Sequence, residues 1–206
     1  MTELFTALPA RSVLPFRPRA AMPAVSRRFR SDDGFECFVT PEAVERLLEG
    51  TRRARPNEVF AVLFGRAFHD GDGEYTVVSG VHHPTAFARG PRHVDLSPAE
   101  AALARNEGAR RFPAEDAVGW SHSHAYDSGY SQTDRDEQRT WPGRHHVGIL
   151  TFMPGWPRLR VYHGPSAAPM AEVVPAQRVE AGPCWVTGWD RAWCHCPDCA
   201  QRRSAG

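Results

Sequence analysis

Lysine is absent from this chain: all 25 basic side chains are arginine, and a single isoleucine, Ile149, stands against abundant alanine, glycine, proline and arginine. That bias is typical of a GC-rich coding genome and points to a bacterial source. Without lysine, the protein offers no side-chain amine for isopeptide attachment to itself. Net charge is also scarce. At +1, the chain has no overall attraction for nucleic acid or an acidic membrane surface. No apolar run reaches the roughly 18 residues that a membrane-spanning helix needs. The N-terminal stretch carries arginines but no continuous apolar segment of the secretory kind. Its arginine-rich, acid-poor character faintly suggests a transit peptide, which the bacterial composition argues against, so cytoplasm is the expected compartment. The five cysteines are then expected to be thiols or metal ligands, not disulfides.

What is present fits one domain with appendages, since 206 residues are enough for a sizeable core. Residues 1–30 carry Pro9, Pro15, Pro18 and Pro23 with no sustained period, and read as an extended or disordered arm. Residues 31–175 read as the main domain and 176–206 as a cysteine-rich tail. Within the domain, residues 35–39 alternate as a short strand. Thr40-Pro41-Glu42 then starts a helix to about 53, with Val44, Leu47, Leu48 and Thr51 facing inward. Residues 58–68 and 74–81 pair as a hairpin around Asp70-Gly71-Asp72-Gly73. Ser97-Pro98-Ala99-Glu100 is a capping box opening a helix to about 111. A buried strand ending at Gly119-Trp120 follows, then a short helix over 132–141 stopped by Pro142, and strands near 146–153 and 158–163. This order predicts an α/β (α+β) domain on a mixed sheet.

Chemistry concentrates where that buried strand ends, at Ser121-His122-Ser123-His124. Side chains alternate along a strand, so His122 and His124 face the same way and can share one metal ion. Ser131-x-x-Asp134 then opens the short helix, with Ser131 as N-cap. If the loop between folds back, Asp134 completes a His, His, Asp set with a fourth position open, the pattern of a catalytic zinc site. The plain alternative is a polar strand mouth followed by an ordinary helix start. Upstream, Glu58 stands at the head of a nearly all-apolar strand, where a carboxylate is costly unless partnered or in use; a solvated strand-end glutamate is the bland reading.

Glu58 in Pro56-x-Glu58-x-x-x-x-Leu63-x-Gly65, Val118-Gly119-Trp120-x-His122-x-His124 and Ser131-x-x-Asp134 together resemble the JAMM (JAB/MPN+) metalloprotease family, over roughly residues 35 to 165. The loop from Ala125 to Tyr130 is six residues, one short of the family's usual spacing, and Ala125 stands where many members carry proline. Both departures bear on loop conformation and substrate fit. The resemblance implies a JAB/MPN-like curved mixed sheet flanked by helices. It also implies Zn2+ on His122, His124 and Asp134, Glu58 as general base and Ser131 as an oxyanion donor. Eukaryotic relatives cut isopeptides of ubiquitin-like modifiers; bacterial ones resemble enzymes that trim sulfur-carrier proteins to a Gly-Gly end. The compact chain, without a long insertion to grip a second ubiquitin-like unit, fits the second. A small-molecule amide hydrolase would show a narrow closed pocket, and a non-catalytic MPN scaffold would lack ligands.

The tail carries Cys184, Cys194, Cys196 and Cys199, and Cys196-Pro197-Asp198-Cys199 resembles a zinc knuckle. Four thiolates, or three with His195, could hold a second, structural zinc; a free thiol tail and a Cys-x-x-Cys redox pair are the alternatives. Trp185, Trp189 and Trp193 would give such a lobe apolar mass. Cys37, in the first strand, is expected to be a buried thiol.

Overall fold

In a computed structural model, which describes residues 14–22, 26–85, 88–90, 93–124, 128–141, 143–152 and 158–173, each long helix begins at the cap its sequence provides. The Thr40 hydroxyl accepts the Ala43 N–H at 3.3 Å ahead of α1 (Pro41–Ala54). The Ser97–Glu100 capping box is fully formed ahead of α2 (Pro98–Arg111). Ser131 caps α3 (Gln132–Thr140). Each cap satisfies N–H groups that the first helical turn cannot pair internally.

In chain order the strands are β1 (Arg27–Arg30), β2 (Glu36–Val39), β3 (Phe60–Asp70), β4 (Gly73–His82), β5 (Ala88–Gly90) and β6 (His93–Asp95). After α2 come β7 (Asp116–His124), β8 (Val147–Phe152), β9 (Arg158–His163) and β10 (Ala168–Glu172). Eight of them close into a barrel in the order β1-β10-β9-β8-β7-β3-β4-β2, while β5 and β6 form a separate two-stranded sheet. The mixed character is set by two parallel pairs, β2 with β4 and β7 with β8. Two register shifts in β3, at Phe64/Gly65 against β4 and at Leu63/Phe64 against β7, supply local bending.

Closure is a finding that the sequence did not announce. Strand β1 falls in the stretch read as an arm, because Arg27, Arg28 and Arg30 hide any apolar alternation and only Phe29 is buried. It pairs with both β2 and β10 and so joins the sheet's two ends. The arginines answer a carboxylate: Glu36, with no exposed surface, accepts from Arg28 and Arg30 and lies 3.4 Å from Arg19. A buried acid without such partners would be strongly destabilising. Further upstream, the Tyr75 hydroxyl donates to the Arg17 carbonyl at 2.6 Å, and Arg19 pairs with Asp70.

Two cores lie on opposite faces of the barrel wall, as alternation along β3 requires. Ala61 and Leu63 point to the core that holds Leu47 of α1, Ile149 and Val161. Phe60, Val62 and Phe64 point to the other, with Ala104 of α2, Trp120, Tyr130 and Leu150. Among the α1 positions expected to face inward, Leu47 and Thr51 are buried, while Val44 and Leu48 are half-buried at the core's margin. Cys37 is fully buried, and burial pushes its thiol above the usual range. No helix among the described residues is long and apolar enough to cross a membrane.

Candidate metal centre

Strand β7 carries Trp120, His122 and His124 on one face and Ser121 and Ser123 on the other. Ser123 ties β7 to the chain entering β3: its hydroxyl accepts the Val59 N–H, and its own N–H donates to the Val59 carbonyl, both at 3.0 Å. Phe60 is the register partner of His122. Glu58 lies two residues upstream of Phe60. It precedes the regular strand, which begins at Phe60 and not at 58. Glu58 is buried, and its N–H donates to the Gly90 carbonyl at 2.8 Å, anchoring it to the small β5–β6 hairpin.

The third ligand candidate comes from α3. Ser131 Oγ accepts the Asp134 N–H at 3.2 Å, and Asp134 Oδ2 accepts the Ser131 N–H at 2.6 Å. This reciprocal cap fixes the Asp134 carboxylate at the helix mouth. Its Oδ1 lies 3.1 Å from His122 Nε2 and its Oδ2 3.5 Å from His124 Nε2, while the two Nε2 atoms are 2.9 Å apart. A tetrahedral site with bonds of about 2.05 Å has ligand-to-ligand edges of about 3.3 Å. The three donor atoms thus already stand near the spacing one small divalent cation requires. Among the described residues they are the one such group of His, Cys, Asp or Glu.

Electrostatics favour the ligating protonation states of His122 and Asp134. Burial pushes the His122 imidazole down, against the opposing pull of Asp134. Burial raises the Asp134 carboxyl, but hydrogen bonds from His122 and His124 outweigh it and hold the group well below the usual carboxylate range. Neutral imidazole and ionised carboxylate are what a metal site needs. Orientation has its own support: His124 Nδ1 is 2.6 Å from Ser128 Oγ. With a metal bound, an Nδ1–H donated to that hydroxyl would leave the Nε2 lone pair to the ion in place of a hydrogen bond to Asp134. The His122 ring instead lies nearly parallel to Trp120, at 5.0 Å between centroids and 12° between planes.

His122, His124 and Asp134 meet at this end of β7, with Ser131 capping Asp134, while Glu58 precedes Val59, whose backbone is bonded to Ser123. Ser131 spends one lone pair on the cap, which leaves its exposed hydroxyl free to donate to a neighbour. As a serine in a short polar loop, Ser128 carries no periodic signal in the sequence, and only the fold brings it to His124. Residues 125–127 of that loop, and Cys184, Cys194, Cys196 and Cys199 of the tail, lie outside the described residues.

The solution structure of protein DSY2949 from Desulfitobacterium hafniense is similar, at 24% identity and a TM-score of 0.48, over 66% of this chain and 88% of that one. Among curated proteins nothing matches. The model of a family described as prokaryotic homologs of the JAB domain matches residues 40–159, a span that contains Glu58, both histidines, Ser131 and Asp134. The chain belongs to this prokaryotic JAB-domain family.

Proposed function

We propose that the protein is a zinc-dependent peptidase that hydrolyses the amide bond after the C-terminal Gly-Gly of a ubiquitin-like or sulfur-carrier protein. The observation that carries the metallohydrolase reading is the convergence of His122 Nε2, His124 Nε2 and an Asp134 oxygen within 4.8 Å of one another. A zinc ion held there would supply Lewis acidity and a water acidified toward neutral pH. The chain's own groups do the rest. Glu58 takes the proton of the attacking water and returns it to the departing amine. The Ser131 hydroxyl donates to the substrate carbonyl oxygen as charge builds on it. Trp120 and Tyr130, both buried, wall off the His122 side. The His122 side chain is 2% exposed, against 15% for His124 and 13% for Asp134, so a substrate approaches from the His124 side. The substrate class follows from the family resemblance.

The test combines metal content per chain with turnover of a sulfur-carrier protein extended beyond its Gly-Gly. Wild type should bind zinc, and the His122→Ala/His124→Ala variant should lose one ion per chain. A zinc held by the tail cysteines would remain in both. Glu58→Gln should keep the metal and lose most turnover; full activity in that variant removes Glu58 from the mechanism. Equal metal content in wild type and the double variant would sink the metal-centre reading. Cleavage of small amides but no extended carrier would move the assignment to a small-molecule hydrolase.

A further inference from the structure

Helix α3 delivers Asp134, yet little apolar burial holds it. Its nine residues are QTDRDEQRT, and the one fully buried side chain among them is Gln138. Nine residues are too few to be helical alone, so what seats α3 on the barrel also sets where Asp134 points. Gln138 uses both ends of its amide: Oε1 accepts the Trp120 indole N–H at 2.6 Å, and Nε2 donates to the Gly164 carbonyl at 3.1 Å. Gly164 is itself fixed, donating its N–H to the His146 carbonyl at 2.9 Å.

The spacing makes this more than a buried hydrogen bond. Asp134 and Gln138 are four apart, one above the other on the same helix face. Trp120 and His122 are two apart on the same face of β7. Helix and strand are therefore joined by two successive rungs, His122 with Asp134 at 3.1 Å and Trp120 with Gln138 at 2.6 Å. Because the amide plane is bonded at both ends, the second rung fixes the rotation of α3 as well as its height. Gly148 leaves room for this: a Cβ there would lie 2.6 Å from Gln138 Oε1 and 2.0 Å from Tyr130 Oη.

We propose that Gln138 is the positioning residue of the metal centre, locking α3 against Trp120 and Gly164 so that Asp134 meets His122 and His124 with little reorganisation. This rests on the metal-centre reading and adds to it a residue outside the ligand set. An apolar replacement would keep the helix buried but release its rotation, so the ligands would have to be gathered at the expense of binding.

The experiment measures zinc affinity by chelator competition on the full chain, well below each variant's melting temperature. The variants are Gln138→Leu, Trp120→Phe, their combination, and the surface control Gln132→Ala. Expected results are a 10- to 100-fold weaker affinity for Gln138→Leu, in the range for residues that support metal ligands, and a smaller loss for Trp120→Phe. The combination should be little worse than Gln138→Leu alone, because both remove the same rung. The control should bind as wild type does. Trp120→Phe keeps an aromatic ring against His122 and serves if Gln138→Leu does not fold. Wild-type affinity in folded Gln138→Leu, or in Trp120→Phe where Gln138→Leu does not fold, would overturn the inference even if the melting temperature dropped, and would leave the metal-centre reading standing. A wild type that binds no zinc would remove both.

Discussion

Gly119 gives a demanding test of the barrel geometry, because one methyl group there meets backbone that cannot turn aside. A Cβ on Gly119 would sit 1.9 Å from the Val147 carbonyl oxygen and 2.9 Å from its carbon. Gly119 and Val147 form the first pair of the parallel β7–β8 ladder, which continues through His122 with Leu150 and His124 with Phe152. Relieving the contact to about 3.2 Å needs more than about 1 Å of strand separation, enough to break hydrogen bonds near 2.9 Å. Losing one or two ladder bonds costs about 1 kcal/mol each, and backbone overpacking adds about 1–3 kcal/mol. Gly119→Ala should therefore destabilise by roughly 2–5 kcal/mol, a fall of about 4–20 °C in melting temperature for a chain of this size. Thermal unfolding followed by circular dichroism at fixed pH measures this. Gly129→Ala is the companion, since its added methyl would meet nothing nearer than 3.5 Å and should change stability little. A Gly119→Ala protein melting within about 2 °C of wild type would refute the β7–β8 spacing on which the placement of both histidines depends.

Two other outcomes follow from the same structure. Ser128→Ala removes the group 2.6 Å from His124 Nδ1 and should weaken zinc binding about tenfold by the usual effect of losing a ligand's outer partner; unchanged affinity in a metal titration would show that the hydroxyl does not orient His124. His146, 7% exposed, is pushed down from 6.5 to about 4, chiefly by burial and against the pull of its hydrogen bond to the Ala117 carbonyl. The unfolded chain binds this proton near pH 6.5 and the folded protein only near pH 4, so stability is highest above 6.5 and falls through that window as the solution is acidified. The loss should approach roughly 3 kcal/mol and be absent from His146→Gln, as urea unfolding at several pH values would show; parallel stability curves for the two proteins would disprove it.

Local chemistry wrote much of this molecule into its sequence. Thr40, the Ser97/Glu100 pair and the Ser131/Asp134 pair start the three helices of the described chain where the sequence places them, because a cap needs only neighbours within one turn. The two-residue period of a strand put His122 and His124 on one side, and a capped first turn supplied Asp134. The paired strands 58–68 and 74–81 emerge as β3 and β4 within a residue or two at each end. What the sequence could not determine is whatever depends on partners far along the chain. The polar pattern of Arg27–Arg30 makes sense only once Glu36 is buried beneath it. The short β10 is a strand because β1 and β9 flank it. Gly119 and Gly148 are needed because Val147, Tyr130 and Gln138 crowd them. Gln138, one polar letter in a polar helix, is singled out only by the indole and the carbonyl that the closed barrel brings to its two ends. Periodicity and capping act over a few residues and can be read along the chain, whereas close approach, burial of charge and the joining of sheet edges exist only after the strands have met.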